Sequence, residues 1–207
     1  MSQAASRSEV TVAKYSSTKL RPSSSVIGAS FTSISGPNLD HLGRWVRDRF
    51  ARPTPRNLAG PLSQAVSSAY TLFFMTPLLP KAFFRALGSD RNWAVALCVM
   101  ERMRRGNLAF GPTLRDDMVN GLRVYRANIF QRVGNPRERR TSVPVQLIVN
   151  TRDVAVRPAG YDDTHRWVTD LRRVDVKAGH WLPYARPEFV AETARTFIDS
   201  LDGSEAP

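Results

Sequence analysis

Apolar residues along this chain fall into three kinds of run. "SVPVQLIVNT" (142–151) is continuous and rich in β-branched residues, and a charged loop bounds it. That is the signature of a strand buried on both faces of a parallel sheet. A shorter strand core lies at 29–35 in "SVIGASFTSISG", closed by Gly36 and Pro37, and a third lies at about 173–178 in "RRVDVKAG". From Leu39 to about Phe130 the pattern is mostly helical, with prolines and glycines predicting breaks at 53–61, 77–80, 88 and 111–112. A further helical stretch is expected at 161–171. The last helix opens at Pro187, with Val190, Ala194, Phe197, Ile198 and Leu201 on one apolar stripe.

Strand, helix, strand, helix implies parallel crossovers, so the C-terminal third reads as α/β. The organisation predicted is a leader at 1–28, an α/β core made from 29–38 and 136–203, and a helical insertion at 39–135. The leader is basic, serine-rich and poor in acids, without the apolar centre of a secretory signal, and its composition is that of a disordered segment.

Composition narrows the picture. The 207 residues are 42% hydrophobic and 23% charged, which suits one ordinary domain with a modest core. Cys98 is the single cysteine, so neither a disulfide framework nor a cysteine metal site can form within the chain. A reducing, cytoplasmic setting is consistent with that. The net charge of +12 raises nucleic acid as a partner. Against it, the arginines are scattered, and the clusters "ERMRRG" (101–106) and "NPRERR" (135–140) lack the interleaved aromatics of a single-strand binder. No nucleic-acid partner is expected. Nor is a membrane span, which needs about 18 to 20 uninterrupted apolar residues. The nearest run, "AYTLFFMTPLLPKAFF" (69–84), is broken by Pro77, Pro80 and Lys81.

Ligands in parallel sheets sit beyond the carboxyl ends of the strands. Asp153 follows one strand in "NTRDVAVRP", and His180 follows the next in "KAGHW". One strand–helix–strand unit carries both to the same edge, where an acid can hold one imidazole nitrogen while the other accepts a proton. Each has a plainer reading as well. An Asp after a strand commonly forms a turn, and a His beside Trp181 can simply be packed.

Taken together, "SVPVQLIVNTRDVAVRP" and "VKAGHWLPYARPEFV" resemble the end of an α/β-hydrolase, closest to epoxide-hydrolase-like proteins, including the hydrolase half of fusions with a short-chain dehydrogenase. "FTSISGPNLDHL" (31–42) is similar to the strand and exit into the cap of that group. The resemblance covers about 29–201 and implies an α/β-hydrolase core with a mostly helical cap at 39–135. It implies that Asp153 is the acid of the catalytic triad and His180 the base. It also implies two cap tyrosines that hydrogen-bond an epoxide oxygen, matched here by Tyr70 in "SAYTLFF" and Tyr125 in "RVYRAN". Packing is the alternative for both, since aromatics at helical spacing usually fill a core.

One part of the family pattern is missing from the sequence. The family's nucleophile is an aspartate on a strand-to-helix elbow upstream of the "FTSISG" strand, with the oxyanion donors earlier still. Only 28 residues precede position 29, they contain no such elbow, and Glu9 is their only acid. Asp40 lies past the strand, at the mouth of the cap. The expectation is a truncated α/β-hydrolase fold that keeps acid, base and cap but not the nucleophile.

Two functions therefore stand side by side. One is epoxide hydrolysis to a diol through an aspartyl ester, with the fragment inactive alone; the other is a non-enzymatic remnant or interaction module. The apolar cap residues Phe73, Phe74, Leu78, Leu79, Phe83 and Phe84 suggest a small lipophilic substrate, with cap-to-core packing as the equal alternative. No cofactor or metal is expected. Exposed strand edges would favour self-association.

Overall fold

A computed structural model describes residues 30–103 and 108–202; the expected leader lies outside the described residues. Its centre is β2 (Val145–Asn150), in which all six residues are buried. Two parallel neighbours flank it, β1 (Phe31–Ile34) and β3 (Leu171–Val176), in the order β1-β2-β3. Phe31 pairs with Val145 on one side, and Val145 with Leu171 on the other. The three strands expected from the sequence are thus present and parallel, each shifted by a few residues at its ends.

Alternation along the pleat splits β2 between two faces. Val145, Leu147 and Val149 pack with Val156, Tyr161 and Val168 from the segment joining β2 to β3. On the opposite face Ile148 joins Val176, Leu182, Phe189, Val190 and Ala194, which brings in α7 (Leu182–Ala185) and α8 (Pro187–Asp202). The predicted stripe of α8 holds for Val190, Ala194 and Phe197, but Ile198 is exposed.

The segment between β2 and β3 corrects the expectation of a helix at 161–171. It carries only two short 3-10 turns, Pro158–Tyr161 and Thr164–Arg166. Pro158 and Gly160 restrict the first turn, and no apolar stripe of sufficient length follows for an α-helix to bury.

Between β1 and β2 run α1 (Leu39–Phe50), α2 (Pro55–Ser67), α3 (Tyr70–Met75), α4 (Leu79–Leu87), α5 (Asp90–Glu101) and α6 (Leu114–Gly134). Asn38, Thr54 and Ser89 cap α1, α2 and α5 through side-chain oxygens. The expected break at 53–61 is shorter than predicted, because Pro55 occupies the first turn of α2 and the helix continues through buried Pro61. Tertiary contact holds it in place: Gln64 accepts from the Arg157 amide at 2.8 Å and donates to the Ala155 carbonyl at 3.0 Å. Among the described residues, no helix is long and apolar enough to cross a membrane.

The helices α1 and α6 cross where Gly43 stands, since a Cβ there would sit 2.8 Å from the Val133 carbonyl oxygen. Beside the crossing lies Asp40, only 1% exposed. It accepts from Arg132 at 3.0 Å, from Arg139 at 2.7 Å and from the Arg137 amide at 2.9 Å. Burial alone would raise its pKa, but the Arg137 amide, Arg139 and Arg132 together outweigh burial and hold the carboxyl below the usual carboxylate value. Next to it His41 stacks on Trp167 at 4.5 Å and bonds the Arg139 carbonyl. Burial holds its pKa below the ordinary value of 6.5.

Both shifts act in the same direction on stability. The unfolded chain takes up the His41 proton below about pH 6.5 and the folded chain resists it, so stability declines as pH falls from there. Asp40 contributes above its ordinary value of 3.8, and that contribution is lost as pH falls through the lower folded value. Urea denaturation across pH 3 to 8 should show both declines. Asp40→Ala, which takes the carboxylate away from the Arg137 amide and from Arg132 and Arg139, should cost about 2 kcal/mol at neutral pH and flatten the more acidic of the two.

Candidate active site

Adjacent parallel strands release their chains at the same sheet edge, and the residues beyond β2 and β3 meet there. Asp153 sits in a tight turn, with one carboxylate oxygen accepting from the amides of Ala155 at 2.7 Å and Val156 at 3.0 Å. Its other oxygen lies 2.9 Å from His180 Nδ1. Asp153 is 1% exposed, whereas the His180 side chain keeps 26% of its surface exposed. An ionised carboxylate only accepts, so Nδ1 carries the hydrogen and Nε2 presents the basic lone pair. Asp153 thus makes two kinds of contact at once. One oxygen forms a turn and the other fixes the imidazole.

The backbone on either side of β2 supports this arrangement. Asn150, the last residue of β2, donates to Ser35 Oγ and to the Gly179 carbonyl, each at 2.6 Å. Ser35 follows β1 with a left-handed φ of 49°, and Gly179 precedes His180. One buried amide thus joins the exits of all three strands. Asn150 carried no signal in the sequence, because its partners are 115 and 29 residues away.

Tyr70 opens α3 and Tyr125 lies in α6, and their rings approach to 6.4 Å at a steep angle. Phe74 packs edge-on against both, at 5.3 and 5.0 Å. Burial, then the charge of and hydrogen bond with Tyr125, raises the Tyr70 pKa well above its ordinary value. The charge of Asp153 adds to the rise. Tyr70 accordingly stays protonated and able to donate. Arg126 fixes the spacing of the two helices. Its guanidinium donates to the carbonyls of Phe74, Thr76 and Pro77 at 3.1, 2.5 and 3.2 Å, closing the C-terminal end of α3 onto α6. Among the described residues, no group of three His, Cys, Asp or Glu side chains is placed to hold a metal ion.

A parallel sheet with a helical segment inserted between its first and second described strands is a fold that solved structures share. An epoxide hydrolase from Bacillus megaterium superposes on 81% of the chain with a TM-score of 0.53 and 16% identity, and 59% of that enzyme is matched. Its inhibitor complex superposes equally well, and a product complex does so at 17% identity. The chain shares part of the α/β-hydrolase fold. The sequence is 37% identical over 190 residues to a protein of Mycobacterium tuberculosis named probable oxidoreductase EphD, and equally to its Mycobacterium bovis counterpart. Those residues are 89% of this chain but 32% of the mycobacterial proteins, so it spans about a third of their length. No family model matches the sequence.

The two jobs of Asp153 separate by substitution. Asp153→Ala leaves the Ala155 and Val156 amides without their acceptor and should cost about 2 kcal/mol in urea denaturation. Asp153→Asn keeps one oxygen for the turn and should cost less than half of that. Equal losses for the two would mean that the turn contributes nothing.

Proposed function

We propose that this chain is the acid-, base- and cap-bearing portion of an epoxide-hydrolase-type enzyme. The observation that carries the reading is the 2.9 Å contact between Asp153 and His180 at the sheet edge, with the Tyr70 and Tyr125 rings paired at 6.4 Å in the helical segment. In this reading Tyr70 and Tyr125, on the cap, donate hydrogen bonds to an epoxide oxygen, where negative charge develops as the ring opens. A carboxylate nucleophile attacks a ring carbon, the carbon–oxygen bond breaks, and the alkoxide takes a proton. His180 Nε2 then removes a proton from water, which attacks the ester carbonyl and releases the diol. Asp153 holds the tautomer and stabilises the imidazolium that forms.

The cap supplies the substrate preference. Phe74 lies against both tyrosines, and Phe73, Phe83 and Phe84 join it in an aromatic cluster, which favours a small lipophilic epoxide over a polar one. The nucleophile has no counterpart in an elbow motif of this sequence, and triad members act as a unit. On this reading the chain binds epoxides weakly without turning them over.

A second reading, an interaction module, is favoured by one feature. Leu72, Leu78, Leu79, Val95 and Val99 on the helical segment are all exposed, and β1 is an edge of the described sheet.

Diol formation from a lipophilic epoxide distinguishes the two. The purified chain should be inactive, and His180→Ala should not change that. Co-expression with the N-terminal half of an epoxide hydrolase, including its elbow aspartate, should create turnover that His180→Ala reduces on the order of a thousandfold or more. Robust turnover by the chain alone would refute the missing-nucleophile reading. Failure of the folded, complemented pair to make diol would refute epoxide hydrolysis and leave the interaction module.

A further inference from the structure

His180 is held by more than its acid partner. The peptide before it is fixed from the sheet, where Asn150 donates to the Gly179 carbonyl. The peptide after it is fixed from the helical segment. Glu101, the last residue of α5, accepts the Trp181 amide hydrogen through one carboxylate oxygen at 3.0 Å. The carboxylate lies so close to the loop that a Cβ at Gly179 would collide with it, so position 179 admits only glycine while Glu101 stays in place.

The same helix touches the loop at a second point. The Trp93 ring meets the Trp181 ring edge-on at 5.3 Å, and Trp181 in turn stands perpendicular to the His180 imidazole at 5.2 Å. The chain turns away immediately after Glu101, at Arg102, whose φ of 54° is left-handed for a residue with a side chain. The helix end and its carboxylate are thereby brought to one place in the fold.

We propose that Glu101 is a positioning residue for His180, through which the helical segment sets the orientation of the base. The inference rests on the reading of His180 as that base. Asp153 can select one nitrogen but leaves the ring free to rock about that single hydrogen bond. The two flanking peptides remove that freedom, one held by the sheet and the other by α5. A displacement of α5 would release the Trp181 amide and unlock the imidazole, which couples the state of the cap to the competence of the base. Nothing in the spacing of the sequence pointed to this contact, which spans 80 residues.

Nitrogen NMR on the full chain with 15N-labelled histidine tests the proposal, with His180→Gln identifying the resonances of position 180. The native chain should show His180 as a single form protonated on Nδ1, with a protected Trp181 amide. In Glu101→Ala, exchange at the Trp181 amide should quicken about tenfold, and the His180 nitrogen shifts should move toward averaging of the two tautomers. Glu101→Gln, which retains an acceptor oxygen, should restore most of both signals. His41 and His165 report on the rest of the fold and should stay unmoved. Unchanged His180 shifts and Trp181 protection in Glu101→Ala would overturn the proposal, as would equal movement of all three histidines or failure of Glu101→Gln to rescue. Because these signals need no turnover, absence of diol formation defeats the proposed activity without deciding this point.

Discussion

Everything at the candidate site depends on β2 being buried on both faces and paired on both edges. A strand so placed favours apolar side chains, and it needs parallel partners on either side. Once β1 and β3 are paired with it, the three strand exits lie at one sheet edge. The side chain of Asn150 can then reach Ser35 and Gly179 together. Asp153 and His180 are neighbours because their strands are neighbours. No local propensity of either loop would bring them within hydrogen-bond distance.

This explains what could be read from the sequence and what could not. The β2 run was legible because a continuous β-branched stretch has few other homes, and the helix from Pro187 because its apolar stripe and first-turn proline agree. The stretch at 161–171 was misread. Its residues permit a helix locally, but they are occupied in covering one face of β2 through Tyr161 and Val168, which two 3-10 turns accomplish. Pro61 misled in the opposite sense. Gly60 admits the Trp45 ring, with a Cβ there only 3.0 Å from it, and Gln64 bonds the 155–157 backbone, so α2 is held from outside and runs through its proline.

For the site, types were legible and supports were not. Asp153 and His180 could be named because loop residues after parallel strands fall at a predictable edge. Tyr70 and Tyr125 were reached through resemblance, and their contact could not be foreseen from spacing, since they belong to different helices. Asn150, Arg126 and Glu101 act on backbone groups tens of residues away, and such contacts leave no pattern in the chain.

The supports share one design. Asn150, Arg126, Gln64 and Glu101 all bond main-chain groups in other segments, and Asp40 does so through the Arg137 amide. Backbone groups in irregular loops have no ladder to satisfy them, so each must find a partner elsewhere. A side chain that provides it fixes the loop in position as well as satisfying the group. Apart from the Arg137 amide, the satisfied groups flank Asp153, His180 and the end of the tyrosine-bearing α3. The geometry of the site is therefore a by-product of completing the backbone hydrogen bonds around it. Sheet and helical segment each contribute part of that completion, so neither alone would hold the imidazole in place.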